Sequence, residues 1–197
     1  GGKGQFAHTV LRLEPNPGKG YEFVDQIKGG VIPAEFISSV DKGIRKTMED
    51  GIISGFPVID VKVVLVDGGH HPVDSSDMAF QAAARGAFLQ AYAGAKPVIH
   101  EPIMKVSVES PSQFQGPVMG SLNQRRGMIV GSQEEGVICV IDAQVPLAEM
   151  FGYSTVLRSL SQGQAQFTME FATYRQVPQS VAEELEKQRQ AEKKNVA

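Results

Sequence analysis

Val58-Ile-Asp-Val-Lys-Val-Val-Leu-Val-Asp-Gly-Gly-His-His-Pro-Val-Asp-Ser-Ser76 passes from an apolar strand, through a polar loop, to the cap of a helix. From Val58 to Val66, residues Ile59, Val61, Val63 and Leu65 fall on one face and Asp60 and Lys62 on the other. This is the alternation of a strand with one partly solvated face. Asp67 to Ser76 then offers two glycines, two adjacent histidines and a proline, with nothing large and apolar to bury. A short strand-to-helix loop so stocked with polar groups is built to stay in water and touch something. The helix that follows is predicted from Ser75 to about Ala93, with Asp74 or Ser75 as its N-cap. Alanines at 79, 82, 83, 84, 87 and 91 give it a small face for close approach. Gly94 ends it, and Lys96-Pro97 forbids its continuation.

Upstream, Phe6 to Leu13 reads as a strand, with Thr9, Leu11 and Leu13 opposite His8, Val10 and Arg12. Glu14-Pro-Asn-Pro-Gly-Lys-Gly20 is a turn by composition, and Tyr21 to Ile27 reads as the returning strand of a hairpin. After Gly29-Gly30, Pro33 suits the first turn of a helix. Ile37, Val40, Ile44 and Met48 continue that helix at its period, and Gly51 stops it.

Downstream, Pro97 to Pro102 marks a domain boundary, beyond which the pattern restarts. Strands are predicted at Ile103–Val108, Gly127–Ser132, Val137–Val145 and Ala165–Thr173, and helices at Ser112–Arg126 and from Pro146 to about Leu160, the latter bent at Gly152. In the last strand Phe167, Met169 and Phe171 are expected inward, with Gln166, Thr168 and Glu170 outward. The order strand, helix, strand, strand, helix, strand is the ferredoxin-like split βαβ arrangement. From Pro178 a polar helix follows, with Glu183, Glu184 and Glu186 ahead of Lys187, Arg189, Lys193 and Lys194 and only Val181 and Leu185 as apolar anchors. The expected organisation is α+β, with domains at 1–98 and 99–177 and a terminal helix at 178–197 packing back on them.

The 197 residues are 42% hydrophobic and 21% charged, an ordinary balance for a globular protein. A net charge of −3 argues against a general polyanion binder, because non-specific nucleic-acid affinity comes from concentrated Lys and Arg. It leaves room for a small RNA-facing patch. The single Cys139 forms no internal disulfide and sits in an apolar run, as a buried thiol does. No apolar run reaches the roughly 20 residues that span a bilayer. A cytoplasmic setting is the default, and no membrane partner is expected.

His70 and His71 with Asp67 and Asp74 are chemically competent metal ligands, but adjacent side chains on extended backbone point to opposite faces. No metal is therefore expected. Ser75 and Ser76 beside His71 lack the Gly-x-Ser-x-Gly context of a nucleophile and are explained as caps. No catalytic residue is assigned. Gly1-Gly-Lys-Gly-Gln5 lacks P-loop spacing. Arg125-Arg126 at a helix end suits the dipole as a solvated pair and could also grip phosphate.

Longer motifs carry a resemblance. Gly1-Gly-Lys-Gly-Gln-Phe6, Gly29-Gly-Val-Ile-Pro33, Asp67-Gly-Gly-His-His-Pro-Val-Asp-Ser-Ser-Asp-Met-Ala-Phe80, Gly120-Ser-Leu-Asn-Gln-Arg-Arg-Gly127 and Val145-Pro-Leu-Ala-Glu-Met-Phe-Gly-Tyr153 resemble the C-terminal part of elongation factor G. So do Glu101-Pro-Ile-Met104, Leu157-Arg-Ser-Leu-Ser-Gln-Gly163 and Phe167-Thr-Met-Glu-Phe171, in the correct order along the whole chain. The resemblance implies the fourth domain of that translocation GTPase, similar to a small-subunit ribosomal protein, and the ferredoxin-like fifth.

It further implies that two tip loops contact the tRNA–mRNA duplex in the small subunit. They match Gly1–Phe6, contacting through Gly4, Gln5 and Phe6, and a second loop with Gly68, Gly69, His70, His71, Pro72, Val73 and Asp74, with Gln5 and His71 as the principal contacts and His70 at a less constrained position. Arg125 and Arg126 would face rRNA. The implied partners are rRNA, tRNA, mRNA and stalk-base proteins of the ribosome, met by a monomer. GTP and Mg would belong to N-terminal domains of the parent, so this stretch itself would hold no cofactor and be no enzyme. Two alternatives stand: the same stretch of a ribosome-recycling or ribosome-protection paralogue, and a free-standing hydrolase or metal protein built on His70 and His71.

Overall fold

The computed structural model describes residues 4–52 and 55–196, with side chains to 192. Gly1, Gly2 and Lys3 of the first tip loop, and the side chains of Lys193 and Lys194 in the tail, lie outside the described residues. The chain forms two compact units. One extends to Pro97 and takes in the C-terminal stretch from Glu183; the other is Val98–Ala182.

The first unit contains β1 (His8–Pro15), β2 (Glu22–Asp25), α1 (Ala34–Asp50), β3 (Val61–Gly69) and α2 (Asp77–Gly94). Its sheet has the order β1-β3-β2, with β1 antiparallel and β2 parallel to β3. The expected hairpin between the first two strands is therefore wrong: they flank β3 and do not pair with each other. The reason is burial. β3 carries Val61, Val63, Val64 and Leu65, all buried, and such a strand needs partners on both edges. The Asp60 carboxylate also accepts from the amides of Gly18 and Gly20 at 3.2 and 3.0 Å, which ties the β1–β2 loop to the entrance of β3.

Helix α1 follows Pro33 directly and ends at Gly51, whose φ is 72°. Its buried Val40, Ile44 and Met48 join Phe80, Ala84 and Phe88 of α2 over Val63 and Leu65. The two helices touch so closely that a Cβ on Gly43 would stand 2.7 Å from the Gln81 carbonyl oxygen. Arg189 of the terminal helix α5 (Gln179–Val196) lies over the Phe56 ring at 4.7 Å, within this unit.

The second unit runs β4 (His100–Pro111), α3 (Gln115–Gln124), β5 (Met128–Glu135), β6 (Ile138–Pro146), α4 (Tyr153–Leu160) and β7 (Gln166–Gln176), with single 3-10 turns at Ser112–Phe114 and Leu147–Glu149. The antiparallel sheet has the order β5-β6-β4-β7, the ferredoxin-like topology. The interruption expected at Gly152 is present, where φ is 75° at the start of α4. One sheet face packs Val106, Val108, Ile141, Ala143 and Val145 against Val118, Leu122, Tyr153 and Leu157 of the helices. The other carries Lys105, Ser107, Asp142 and Thr168.

The expectation of an inward Phe167, Met169 and Phe171 holds only for the first. Phe167 meets Tyr153 edge-on at 5.2 Å, whereas Met169 and Phe171 are 40% and 54% exposed. β7 is an edge strand, and of the three it is Phe167 that packs against the core. Among the described residues, no helix is long and apolar enough to cross a membrane.

Candidate nucleic-acid interface

β3 does not stop where its apolar run stops. Gly68 and Gly69 remain in the ladder, opposite Thr9 and His8 of β1. The second loop therefore begins at His70, later than the predicted Asp67. Gly68 is required there: a Cβ would stand 2.3 Å from the His8 carbonyl oxygen and 2.5 Å from Ile32 Cδ1. At Gly69 the nearest atom is 3.9 Å away. The loop closes at Ser76, whose side chain accepts from Ala79 N at 3.1 Å. Ser76 is thus the N-cap, in place of the predicted Asp74 or Ser75, which are taken up by the first loop.

That uptake joins the two loops. Asp74 Oδ1 accepts from Gly4 N at 2.9 Å, and the Asp74 carbonyl oxygen accepts from Phe6 N at 2.9 Å. Ser75 Oγ donates to the Phe6 carbonyl oxygen at 2.7 Å and accepts from His71 N at 2.8 Å. The Phe6 ring meets His71 edge-on at 6.4 Å between centroids. A Cβ on Gly4 would sit 3.0 Å from the Asp74 carboxyl carbon, so the first loop lies tightly on the second.

A third segment completes this end of the unit. His70 Nδ1 lies 3.1 Å from the Val31 carbonyl oxygen, and Ile32 is buried against the ladder. Gly29 and Gly30 both take positive φ, 66° and 65°, which turns the chain into that position. Gly29–Pro33 is not among the site residues expected from the motifs. Its paired glycines before an apolar dipeptide were the available signal.

The outer surface of the three loops is mixed. Gln5, His70, His71 and Pro72 are exposed, and Val73 is 60% and Phe6 46% exposed. The histidines engage different partners, His70 turning to Val31 and His71 to its own loop. Among the described residues no group of three or more His, Cys, Asp or Glu could hold a metal ion.

The arginine pair of the second unit is differently placed. Arg126, with φ at 57°, sends a bidentate fork to Glu101 at 2.7 and 2.9 Å and donates from Nε to Glu149 at 3.1 Å. Hydrogen bonding to Glu101 first, and to Glu149 next, holds its guanidinium charged well above its usual range. Arg125 donates to the carbonyl oxygens of Glu149 and Phe151 and lies 5.0 Å over the Tyr153 ring. Tyr153 is buried and its hydroxyl meets Ser121 Oγ at 3.1 Å. The pair joins the end of α3 to the loop before α4, and both side chains are partnered and only partly exposed.

Residues 1–96 match the family described as elongation factor G, domain IV, and residues 98–185 match elongation factor G C-terminus. Elongation factor G 1 of Syntrophus aciditrophicus is 60% identical over the whole chain, and that of Treponema pallidum is 58% identical over 98% of it. The chain spans 28% of the length of each. A solved crystal structure of a Thermus thermophilus protein superposes with a TM-score of 0.89 at 40% identity, covering 97% of this chain and 29% of that one. The chain belongs to the elongation factor G family and corresponds to its domain IV and C-terminal region.

Proposed function

We propose that this chain is the ribosome-engaging end of a translational GTPase that promotes movement of tRNA and mRNA, its three-loop tip lying against the tRNA–mRNA duplex in the small subunit. The joined tip carries the reading: three hydrogen bonds, from Gly4 and Phe6 to Asp74 and from Ser75 to Phe6, make one body of two loops distant in sequence. Its exposed groups suit an A-form duplex, whose shallow minor groove offers 2′-hydroxyls and base edges. Gln5 and His71 supply hydrogen bonds, and Phe6 and Val73 supply apolar surface. Contacts of this kind read shape rather than sequence, as a factor serving every codon requires.

The net charge of −3 fits a small tip on a surface that mostly faces elsewhere. GTP and its Mg belong to the rest of the parent, since the chain accounts for 28% of its relatives' length. The second unit contacts the large subunit near the stalk base. In the full-length parent, His71→Ala is expected to slow translocation by at least about tenfold and to leave ribosome-stimulated GTP hydrolysis within about twofold of wild type, both rates to be followed by rapid mixing. Equal loss of the two rates would remove the tip role.

A further inference from the structure

His71 Nδ1 lies 3.2 Å from the amide nitrogen of Val73 and 3.1 Å from that of Asp74, both of which donate to it. A ring nitrogen that accepts from two N–H groups carries no proton of its own. Asp74 Oδ2 stands 3.4 Å from the same nitrogen and would favour a proton there. The amides decide the matter: a proton on Nδ1 would oppose two N–H groups that lie nearer than the carboxylate. Asp74 also has a donor elsewhere, since its Oδ1 accepts from Gly4 N. His71 therefore carries its proton on Nε2, at the far edge of a side chain that is 50% exposed.

His70, one residue away, is its internal contrast. Its Nδ1 faces the Val31 carbonyl oxygen at 3.1 Å, and a carbonyl only accepts. The proton of His70 is on Nδ1, spent on the third loop. Adjacent histidines thus hold protons on opposite nitrogens because their first-bonded partners differ in kind.

We infer that His71 meets its ligand solely as a hydrogen-bond donor through Nε2–H, so that the group it recognises is an RNA acceptor, a ribose 2′-oxygen or a minor-groove base acceptor. The inference rests on the tip reading above and names the ligand chemistry of that site. The ring is held in this tautomer by the Val73 and Asp74 amides. Ser75 is a positioning residue, bridging the His71 amide to the Phe6 carbonyl and so fixing the loop that carries the ring.

Two substitutions in the full-length parent separate the two ring nitrogens. Asparagine at 71 places a carboxamide oxygen where Nδ1 stands, keeping the acceptor for the amides, and offers nothing at the reach of Nε2. Glutamine places an amide donor near the Nε2 position and gives up the acceptor. His71→Gln is expected to translocate within about fivefold of wild type, and His71→Asn to be as slow as His71→Ala. His71→Asn matching or exceeding His71→Gln would overturn the donor assignment.

Nitrogen-15 NMR of histidine-labelled chain reads the protons without the ribosome. The expected spectrum has the Nε2–H tautomer at His71 and a proton on Nδ1 at His70. A proton on Nδ1 of His71 would overturn the inference whatever the variants do. Wild-type translocation by all three variants, with the expected spectrum, would instead overturn the RNA-contact reading and the ligand assignment built on it.

Discussion

The loop at His70–Ser75 and the corner at Arg125–Arg126 are both polar turns at the end of a regular element, and they use their side chains in opposite ways. In the first, serine, aspartate and one edge of each imidazole bond to backbone amides and carbonyls. The outer edges stay exposed. In the second, both guanidinium groups are committed to carboxylates, carbonyls and a buried tyrosine. A backbone partner occupies one edge of a side chain and leaves the other for a ligand. A bidentate carboxylate takes up the planar fork of an arginine and ties that side chain to the fold. Polar composition alone does not distinguish the two cases.

Substitutions can break this contrast. The largest expected effect is at Gly68, where β1 leaves no room for a side chain. Gly68→Val should destabilise the first unit by roughly 3 kcal/mol in urea unfolding, whereas Gly69→Ala, with its nearest neighbour at 3.9 Å, should cost less than about 1 kcal/mol. Similar losses at both glycines would mean that the ladder does not extend to the tip.

Arg126→Ala comes next. Glu101, only 12% exposed in its side chain, would lose a bidentate partner, and the Glu149 carboxylate would lose the Arg126 Nε donor. A loss of about 2 to 3 kcal/mol is expected in thermal or denaturant unfolding, with Arg126→Lys recovering only part because a point charge cannot reproduce the fork. A neutral Arg126→Ala would return the arginine corner to the role of a free cationic patch.

Arg12→Ala sets the floor. Its ion pair with Glu14 at 2.7 Å joins side chains 53% and 41% exposed. Solvent and salt screen such a pair, so the stability should change by less than about 0.5 kcal/mol in the same unfolding measurement. A larger effect would show that surface pairs on β1 matter to the sheet beneath the tip.

Local signals were legible in the residues. The period of Val40, Ile44 and Met48, the stop at Gly51, the break at Gly152 and the strand–helix order of the second unit all follow from side-chain spacing and the freedom of glycine. The errors arose where a distant partner decides. Tyr21 to Ile27 lies next to β1 in sequence, yet β2 pairs with β3, because the strand with most to bury takes the centre. Asp74 and Ser75 are good caps by type, yet Gly4 and Phe6 claim them and leave the cap to Ser76. Met169 and Phe171 alternate correctly, yet they stand exposed on an edge strand.

By itself, the sequence determined the α+β class, the run of helices and strands, the family and the identity of the loops worth watching, since these rest on local propensity and on ordered motifs. Tertiary structure alone decided which strand is central, which glycine cannot carry a side chain, which polar groups are used up inside the fold and which nitrogen of each histidine holds the proton. Those outcomes depend on atoms from separate stretches of the chain meeting within hydrogen-bond distance, and no spacing along the chain encodes that meeting.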